Sequence, residues 1–383
     1  MTQALRASPS KQSDQATPGL TDEALLRRVA RALAELRRGA PLLLHDGAAA
    51  ALMQTVEGST SWALAKLARL AGRQPVLLVT KSRAAALGLK RTGSGPVAVE
   101  LSAEDPAQVG PLADPTLPQP EAWQVQALPS AAFPAKLTVA AVDLVKQARL
   151  LPAVLFVPLG PERRRLVEGE DLLSLSAATV YDYRQAGSRT LTEVTAARVP
   201  LAGAENTRIH AFRPGDGGLE HLAIVIGDLD PAKPVLVRLH SECFTGDLLG
   251  SLRCDCGDQL RGAVDTISAE GSGVLLYLAQ EGRGIGLVNK LRAYRLQDQG
   301  ADTLEANQQL GFDADERVYL PAAEMLRLLG LRQVRLLTNN PEKVAGLQNC
   351  GIEVTERVVH SFPDNEHNRP YLITKARRFG HLF

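Results

Sequence analysis

At 383 residues, with 43 lysines and arginines against 42 aspartates and glutamates, the chain is long enough for two or three domains, each with its own core. Its near-zero net charge lacks the basic excess that bulk nucleic-acid binding uses, and no apolar run reaches the length of a membrane span. Four cysteines, three of them within fourteen positions, point to a reducing compartment and a metal rather than to a disulfide framework.

Residues 1–20 are polar and lack the apolar core of a signal peptide, so they read as a disordered leader on a cytoplasmic protein. Thr21 is placed to cap a first helix, with Asp22 and Glu23 in its first turn, a stripe of Leu25, Leu26, Val29, Leu33 and Leu36, and Gly39 as its stop. Short apolar runs at Leu42–Leu44, Val76–Val79, Val97–Leu101 and Val154–Val157 read as strands, and Trp62–Leu70 and Thr138–Ala148 as helices. Five prolines between Glu104 and Glu121 are expected to break any regular element there. A second unit begins between Gly187 and Ala204. Its predicted strands are Leu222–Ile226, Val235–Leu239, Val274–Tyr277 and Val334–Leu337. Its predicted helices are Gln259–Ala269, Ile285–Leu296, Ala322–Leu329 and Pro341–Asn349, the last with Asn340 as N-cap, Pro341 at its first position and Gly351 as stop. The alternation of helices and strands places the chain in the α/β class, as two α/β domains over 21–188 and 189–383.

The cysteine cluster is Cys243-FTGDLLGSLR-Cys254-Asp255-Cys256. Three thiolates at this spacing suit a zinc ion held by three ligands with a fourth position open to water, the pattern of catalytic rather than structural sites. Three small buried residues would satisfy the spacing too. The polar flanks Arg253, Asp255 and Gly257 favour the metal. A closed structural site would need a fourth ligand, for which His240 is the nearest candidate. Cys350 stands apart, near the end of the Pro341 helix, and reads as packing. Gly282-Arg283-Gly284-Ile285-Gly286 lies between a predicted strand and helix, where backbone N–H groups attract phosphate, although tight turns use glycine for geometry as well.

From about Thr190 to Phe383 the chain closely resembles GTP cyclohydrolase II. The resemblance rests on RLHSECFTGDLLGSLRCDCG, YLAQEGRGIGLVNKLRAYRLQDQG, DTLEANQQLGFDADER and LLTNNPEKV, four blocks in the family's order. It implies a zinc-containing cyclohydrolase II-like fold, with one zinc per chain on Cys243, Cys254 and Cys256. The implied reaction opens the guanine ring of GTP, releasing formate and pyrophosphate at the start of riboflavin synthesis. A bound zinc can lower the pKa of its water from near 16 to about 7. The resemblance further assigns Asp315 as general base, Arg317 to the α-phosphate as nucleophile, and Tyr294 to the neighbourhood of the metal. A guanidinium stays protonated, so planar stabilisation of the phosphates accounts for Arg317 equally well. The implied GTP contacts are Arg238, Leu239, His240, Ser241, Glu242, Gln259, Glu281, Gly282, Arg283, Thr303, Thr338 and Lys343. Glu281 is suited to the guanine N1–H and 2-amino edge, and Lys343 to a phosphate. Magnesium is expected with the triphosphate, held mainly by phosphate oxygens and water. The expected assembly is a homodimer.

Roughly Glu23 to Arg184 resembles 3,4-dihydroxy-2-butanone-4-phosphate synthase, through RVARALAELRRGAPLLLHDG, STSWALAKLARLAGRQPVLLVTKSRAAALGL and LTVAAVDLVKQARLLPAVLF. Where the family has an acidic run after the first strand, this chain has Gly47-Ala48-Ala49-Ala50-Ala51-Leu52. The family's Gly-His-Thr-Glu-Ala segment reads Lys136-Leu137-Thr138-Val139-Ala140. Alanine, leucine and valine neither ligate magnesium nor move protons, so this half is expected to be catalytically inert. Other readings are a cyclohydrolase II paralogue that stops at the formyl intermediate or takes another base, and a zinc module for nucleic acid. A nucleobase deaminase would couple its zinc to a P-C-x-x-C signature, which the sequence lacks.

Overall fold

The computed structural model of the protein describes residues 21–57, 61–89, 93, 95–102, 106–120 and 125–362. The leader at 1–20 and parts of the proline-rich stretch lie outside the described residues. In chain order the first half forms α1 (Asp22–Arg37), β1 (Leu42–Asp46), β2 (Ala49–Thr55), α2 (Ser61–Ala71), β3 (Val76–Val79), α3 (Lys81–Ala86) and β4 (Val97–Val99). It continues with α4 (Val109–Ala113), α5 (Ala135–Gln147), β5 (Ala153–Leu159), α6 (Pro161–Glu168), β6 (Ser174–Ser176) and α7 (Ala177–Arg189). Its six strands make a mixed sheet in the order β4-β3-β5-β2-β1-β6. One face of that sheet packs on α1, α5 and α7 through Val29, Leu36, Leu137, Leu144 and Val180. The other packs on α2, α3, α4 and α6 through Leu67, Ala84, Leu112 and Val167. Burying each large apolar side chain contributes about 1.5–3 kcal/mol.

The first helix matches its expected caps: Thr21 Oγ1 accepts from the Ala24 amide at 3.3 Å, and the predicted stripe is buried. Two expectations are corrected. Ala49–Thr55, read only as a place where an acidic run is missing, is a central strand paired with β1, Leu42 opposite Met53. Gly47 and Ala48 turn the hairpin between the paired Asp46 and Ala49, with Gly47 at φ +58°, the positive φ that the first central residue of a two-residue hairpin turn requires. The five prolines do not exclude a helix either. Pro111 is the third residue of α4, where its missing N–H would have no intrahelical acceptor in any case.

The second half forms β7 (Thr192–Arg198), β8 (Thr207–Arg213), β9 (His221–Ile226), β10 (Val235–Ser241), α8 (Cys256–Glu270), β11 (Gly273–Leu278) and α9 (Leu287–Asp298). After these come α10 (Thr303–Gln309), α11 (Leu320–Leu328), β12 (Gln333–Leu337), α12 (Pro341–Asn349) and β13 (Glu353–Val358). The sheet order is β13-β12-β10-β11-β9-β8-β7. Within it β10 runs parallel to both β11 and β12. Three chain segments therefore leave the sheet at the same end, which is where open α/β sheets build their binding crevices. α11 and α12 cover one face and α8 the other. Asn340 caps α12 through its side chain to the Glu342 amide at 2.9 Å, and Cys350 follows it, packed against the core.

Candidate active site

Side chains alternate along a strand, and β10 uses that alternation to sort its residues. Val235, Val237 and Leu239 enter the core against α11 and α12. Arg238 and His240 face the other way, into a cleft at the ends of β10, β11 and β12. Arg238 donates from Nη1 to the Leu337 carbonyl at 2.8 Å and from Nη2 to Gln259 Oε1 at 2.5 Å. His240 Nε2 lies 3.0 Å from Asp247 Oδ1, and its ring stacks on Tyr277 with centroids 5.6 Å apart. Asp247 Oδ2 also accepts from the Tyr277 hydroxyl and from the Cys243 amide, both at 2.9 Å. Burial lowers the pKa of the His240 imidazole against the pull of that carboxylate. One aspartate thus fixes both the histidine and the start of the cysteine loop. His240 stands outside the sulfur cluster, so the geometry gives it no part in closing a four-ligand site. Arg238 Nε and His240 Nδ1 are buried with no hydrogen-bond partner among the described residues, although both residues line the cleft.

After β10 the chain makes a π-helical turn over Phe244–Leu248 that returns it to Cys254 and Cys256 at the start of α8. The ligand atoms of Cys243, Cys254 and Cys256 lie within 4.8 Å of one another. Gly246 makes this convergence possible. A Cβ there would sit 2.7 Å from Cys254 Sγ and 3.0 Å from Cys243 Sγ. The three thiols share their protons unequally. Cys243 is pulled far below the usual thiol range by hydrogen bonds from Cys254 and Cys256, with the Lys290 ammonium 3.0 Å from its sulfur. Cys254 is pushed up to about 11 and Cys256 well above its usual range, each chiefly by its hydrogen bond to Cys243. Three thiolates this close need a cation among them, and a soft sulfur set of this size fits zinc.

Lys290, on α9, is a cleft residue that the sequence motifs do not single out. Its Nζ contacts Cys243 Sγ and Thr245 Oγ1 at 3.0 Å and Glu281 Oε1 at 2.9 Å. Burial disfavours its charge, but the bonds to Cys243 and Glu281 outweigh that and raise its pKa. One turn later on the same helix face stands Tyr294, whose hydroxyl is 3.3 Å from Thr245 Oγ1 and whose ring lies under Arg253 at 4.6 Å. Burial raises the phenol above its usual range. The 282–286 segment is a tight turn between β11 and α9, with Gly282 and Arg283 both left-handed. Glu281, ahead of it, is 3% exposed and already bonded: Oε2 accepts from the Phe244 amide at 2.7 Å and Oε1 from the Gly282 amide at 2.9 Å. In this arrangement it braces the cysteine loop instead of presenting an open carboxylate to a base.

Arg317 and Asp315 sit opposite, after α10, largely buried rather than solvated. Arg317 Nε is 2.8 Å from Asp315 Oδ1, and Nη2 bonds Oδ2. Burial alone would raise the Asp315 carboxyl, but the guanidinium holds it below the usual carboxylate range. Arg317 lines the cleft, and so do Ser241, Glu242, Gln259, Thr303, Thr338 and Lys343. Lys343 Nζ donates to the Leu239 carbonyl at 2.7 Å. The Leu239 side chain is in the core, so any contact from it to a ligand runs through its backbone. Six cationic side chains line the cleft (Arg238, Arg253, Arg283, Lys290, Arg317 and Lys343) against the carboxylates of Glu242 and Glu281. That balance suits a polyanion. The lining also includes Asn307 and Asn339, which lie inside the quoted blocks but are not among the expected contacts, and His360, which lies outside them.

The sequence model of a family described as GTP cyclohydrolase II matches residues 192–359. A protein of Azospirillum brasilense named GTP cyclohydrolase-2 is 54% identical over 383 residues, covering 97% of this chain and 98% of that one. A shorter GTP cyclohydrolase-2 of Pseudomonas paraeruginosa is 56% identical over 189 residues, covering 49% of this chain and 92% of its own. Among solved structures, RibBX, a two domain 3,4-dihydroxy-2-butanone 4-phosphate synthase from A. baumannii, aligns over 88% of this chain and all of its own at 15% identity, with a TM-score of 0.34.

Proposed function

This chain belongs to the GTP cyclohydrolase II family, and from that premise we propose that it hydrolyses GTP to 2,5-diamino-6-ribosylamino-4(3H)-pyrimidinone 5′-phosphate, formate and pyrophosphate, the first step of riboflavin biosynthesis. The observation that carries the reading is the pairing, in one cleft, of a three-sulfur cluster with six cationic side chains. One end can hold a metal at the base and the rest can hold a triphosphate.

Cys243, Cys254 and Cys256 would hold zinc, which when bound supplies a Lewis acid that activates water at neutral pH. The remaining work falls to the chain's own groups. Arg317, held flat by Asp315, offers planar bidentate hydrogen bonds to phosphate oxygens where charge develops. In this reading Asp315 orients Arg317, supported by its bonds to Nε; service as a general base would require the pair to separate. Arg283 and Lys343 add charge for the phosphates, with magnesium bound by phosphate oxygens and water. Tyr294 keeps its proton at neutral pH, so it is suited to donate a hydrogen bond beside the sulfur cluster. Arg238 Nε and His240 Nδ1 offer buried polar positions to the substrate. The test is direct. Zinc-loaded protein given GTP and magnesium should release formate and pyrophosphate in equal amounts, and intact GTP would contradict the reading.

The first half is proposed to be inert toward ribulose 5-phosphate. Ala50, Ala51 and Leu52 are buried strand residues, and Leu137 is 0% exposed inside the core between the sheet and α5. No proton carrier or magnesium ligand stands at those positions. Four-carbon phosphate formed from ribulose 5-phosphate with excess magnesium would refute this; none is expected.

A further inference from the structure

If the first half has lost its chemistry, its packed core still calls for a reason, and the contacts between the halves supply one. Those nearest the site group on the last turn of α5 and the residues after it, 146–151. Lys146 Nζ lies 2.6 Å from Glu316 Oε1 and 2.8 Å from Asp313 Oδ2, with the side chains of Lys146 and Glu316 each only 10% exposed. Glu316 separates Asp315 from Arg317 in sequence. Its Oε1 also accepts from the Asp313 amide at 2.9 Å, and its own amide donates to the Arg283 carbonyl at 3.1 Å. The Arg317 loop is thereby tied to the 282–286 turn and to α5 at once.

Arg149 makes the second tie. It sits at φ +60° just past the helix end, a position where glycine is the usual residue. Its Nη2 donates to the Ala279 carbonyl at 2.6 Å, two residues before Glu281, and its carbonyl accepts from Asn289 Nδ2 at 3.0 Å, next to Lys290. A Cβ on Gly286 would lie 3.1 Å from Arg149 Cβ, so the turn is pressed closely against this arginine. Leu151 then enters an apolar cluster with Ile285, Ala293 and Phe312. The outer face of α9 adds Arg292, 2.9 Å from Asp114 Oδ2 and 3.2 Å from Glu57 Oε1. Each of three site segments, carrying Glu281 with Arg283, Lys290 with Tyr294, and Asp315 with Arg317, leans on the first half.

We propose that Lys146 and Arg149 are positioning residues for the GTP site, acting through Glu316 and the Ala279 carbonyl, and that the inert first half is a brace for the chemistry of the second. The proposal rests on the GTP cyclohydrolase reading above. Geometry of this kind matters because a displacement of about 1 Å at reacting groups can cost about 10²-fold in rate. Methionine keeps the four-atom unbranched stem of Lys146 without the ammonium, and arginine keeps a cation.

The experiment uses the full-length, zinc-loaded protein with Lys146→Met, Lys146→Arg and Arg149→Met. Lys146→Met and Arg149→Met are each expected to lower kcat for formate release about ten-fold, with KM for GTP changed by less than about three-fold. Zinc content and melting temperature should match the parent, and Lys146→Arg should recover most of the loss. Amide hydrogen exchange should accelerate in peptides spanning 279–286 and 313–317 in both methionine variants, and stay unchanged in β9. If kcat stays within two-fold of the parent and exchange is unaltered, the brace is refuted. A fall in kcat that only tracks lost zinc or lowered melting temperature refutes positioning as well. If the parent itself releases no formate from GTP, the functional reading fails instead, and the exchange result alone decides whether the first half holds these loops.

Discussion

Replacing Cys254 or Cys256 with serine is expected to leave a purified protein that carries no zinc and releases no formate from GTP. A serine hydroxyl does not ionise near neutral pH and is a hard donor, so the two remaining sulfurs cannot complete a three-ligand site. The packing makes relaxation difficult. Gly246 fits between these sulfurs with no room for a Cβ, and Lys290 and Asp247 hold Cys243 from both sides. Turnover should fall at least about 10³-fold, which corresponds to about 4 kcal/mol of lost transition-state stabilisation. Metal analysis and a formate assay on the same preparation check it. Cys350→Ser is the control: that residue ends α12 against the core, and its variant should keep zinc and activity. Full turnover by a zinc-free Cys256→Ser protein would contradict the metal assignment.

Arg317→Ala is expected to lower formate and pyrophosphate release together, by about 10²–10³-fold, the usual effect of removing one preorganised donor from a site of developing charge. The guanidinium is held by Asp315 on both Nε and Nη2, so its plane is set before substrate arrives. Alanine removes the group and also leaves the Asp315 carboxylate without its partner. Arg317→Lys should regain only part of the rate, because an ammonium cannot make a planar bidentate contact. Zinc content should be unchanged in both variants, which separates this effect from that of the cysteines. Kinetics equal to the parent in Arg317→Ala would remove the residue from the site.

Much of the cleft was legible in the sequence because it is built from local blocks. The cysteine spacing, the turn at 282–286 and the Asn340-Pro341 start of α12 each depend on residues close in sequence, and each appears where expected. Strands with a buried face were legible too, as Val76–Val79 shows. Thr192–Arg198 was not, because all seven of its residues are exposed and it carries no apolar signature. Lys290 was missed because a lysine on a helix usually marks solvent. Its spacing of four from Tyr294 places both on one face, the signal that would have found it. By sequence Glu281 suits the guanine edge, and only the fold shows the Phe244 amide and Lys290 already bound to it. The ties from Lys146 to Glu316 and from Arg292 to Glu57 span 170 and 235 residues, and no local pattern encodes contacts of that separation.

The central claim is that this cleft opens the guanine of GTP completely. The measurement that tests it most directly is mass spectrometry of the nucleotide left after the zinc-loaded protein has consumed GTP. The predicted product is the diaminopyrimidine ribosyl 5′-phosphate, lacking both carbon 8 and the two outer phosphates. A product that has lost pyrophosphate but keeps the formyl group would contradict full ring-opening with deformylation and identify a paralogue that stops one hydrolysis short, and GTP recovered unchanged would contradict the claim altogether.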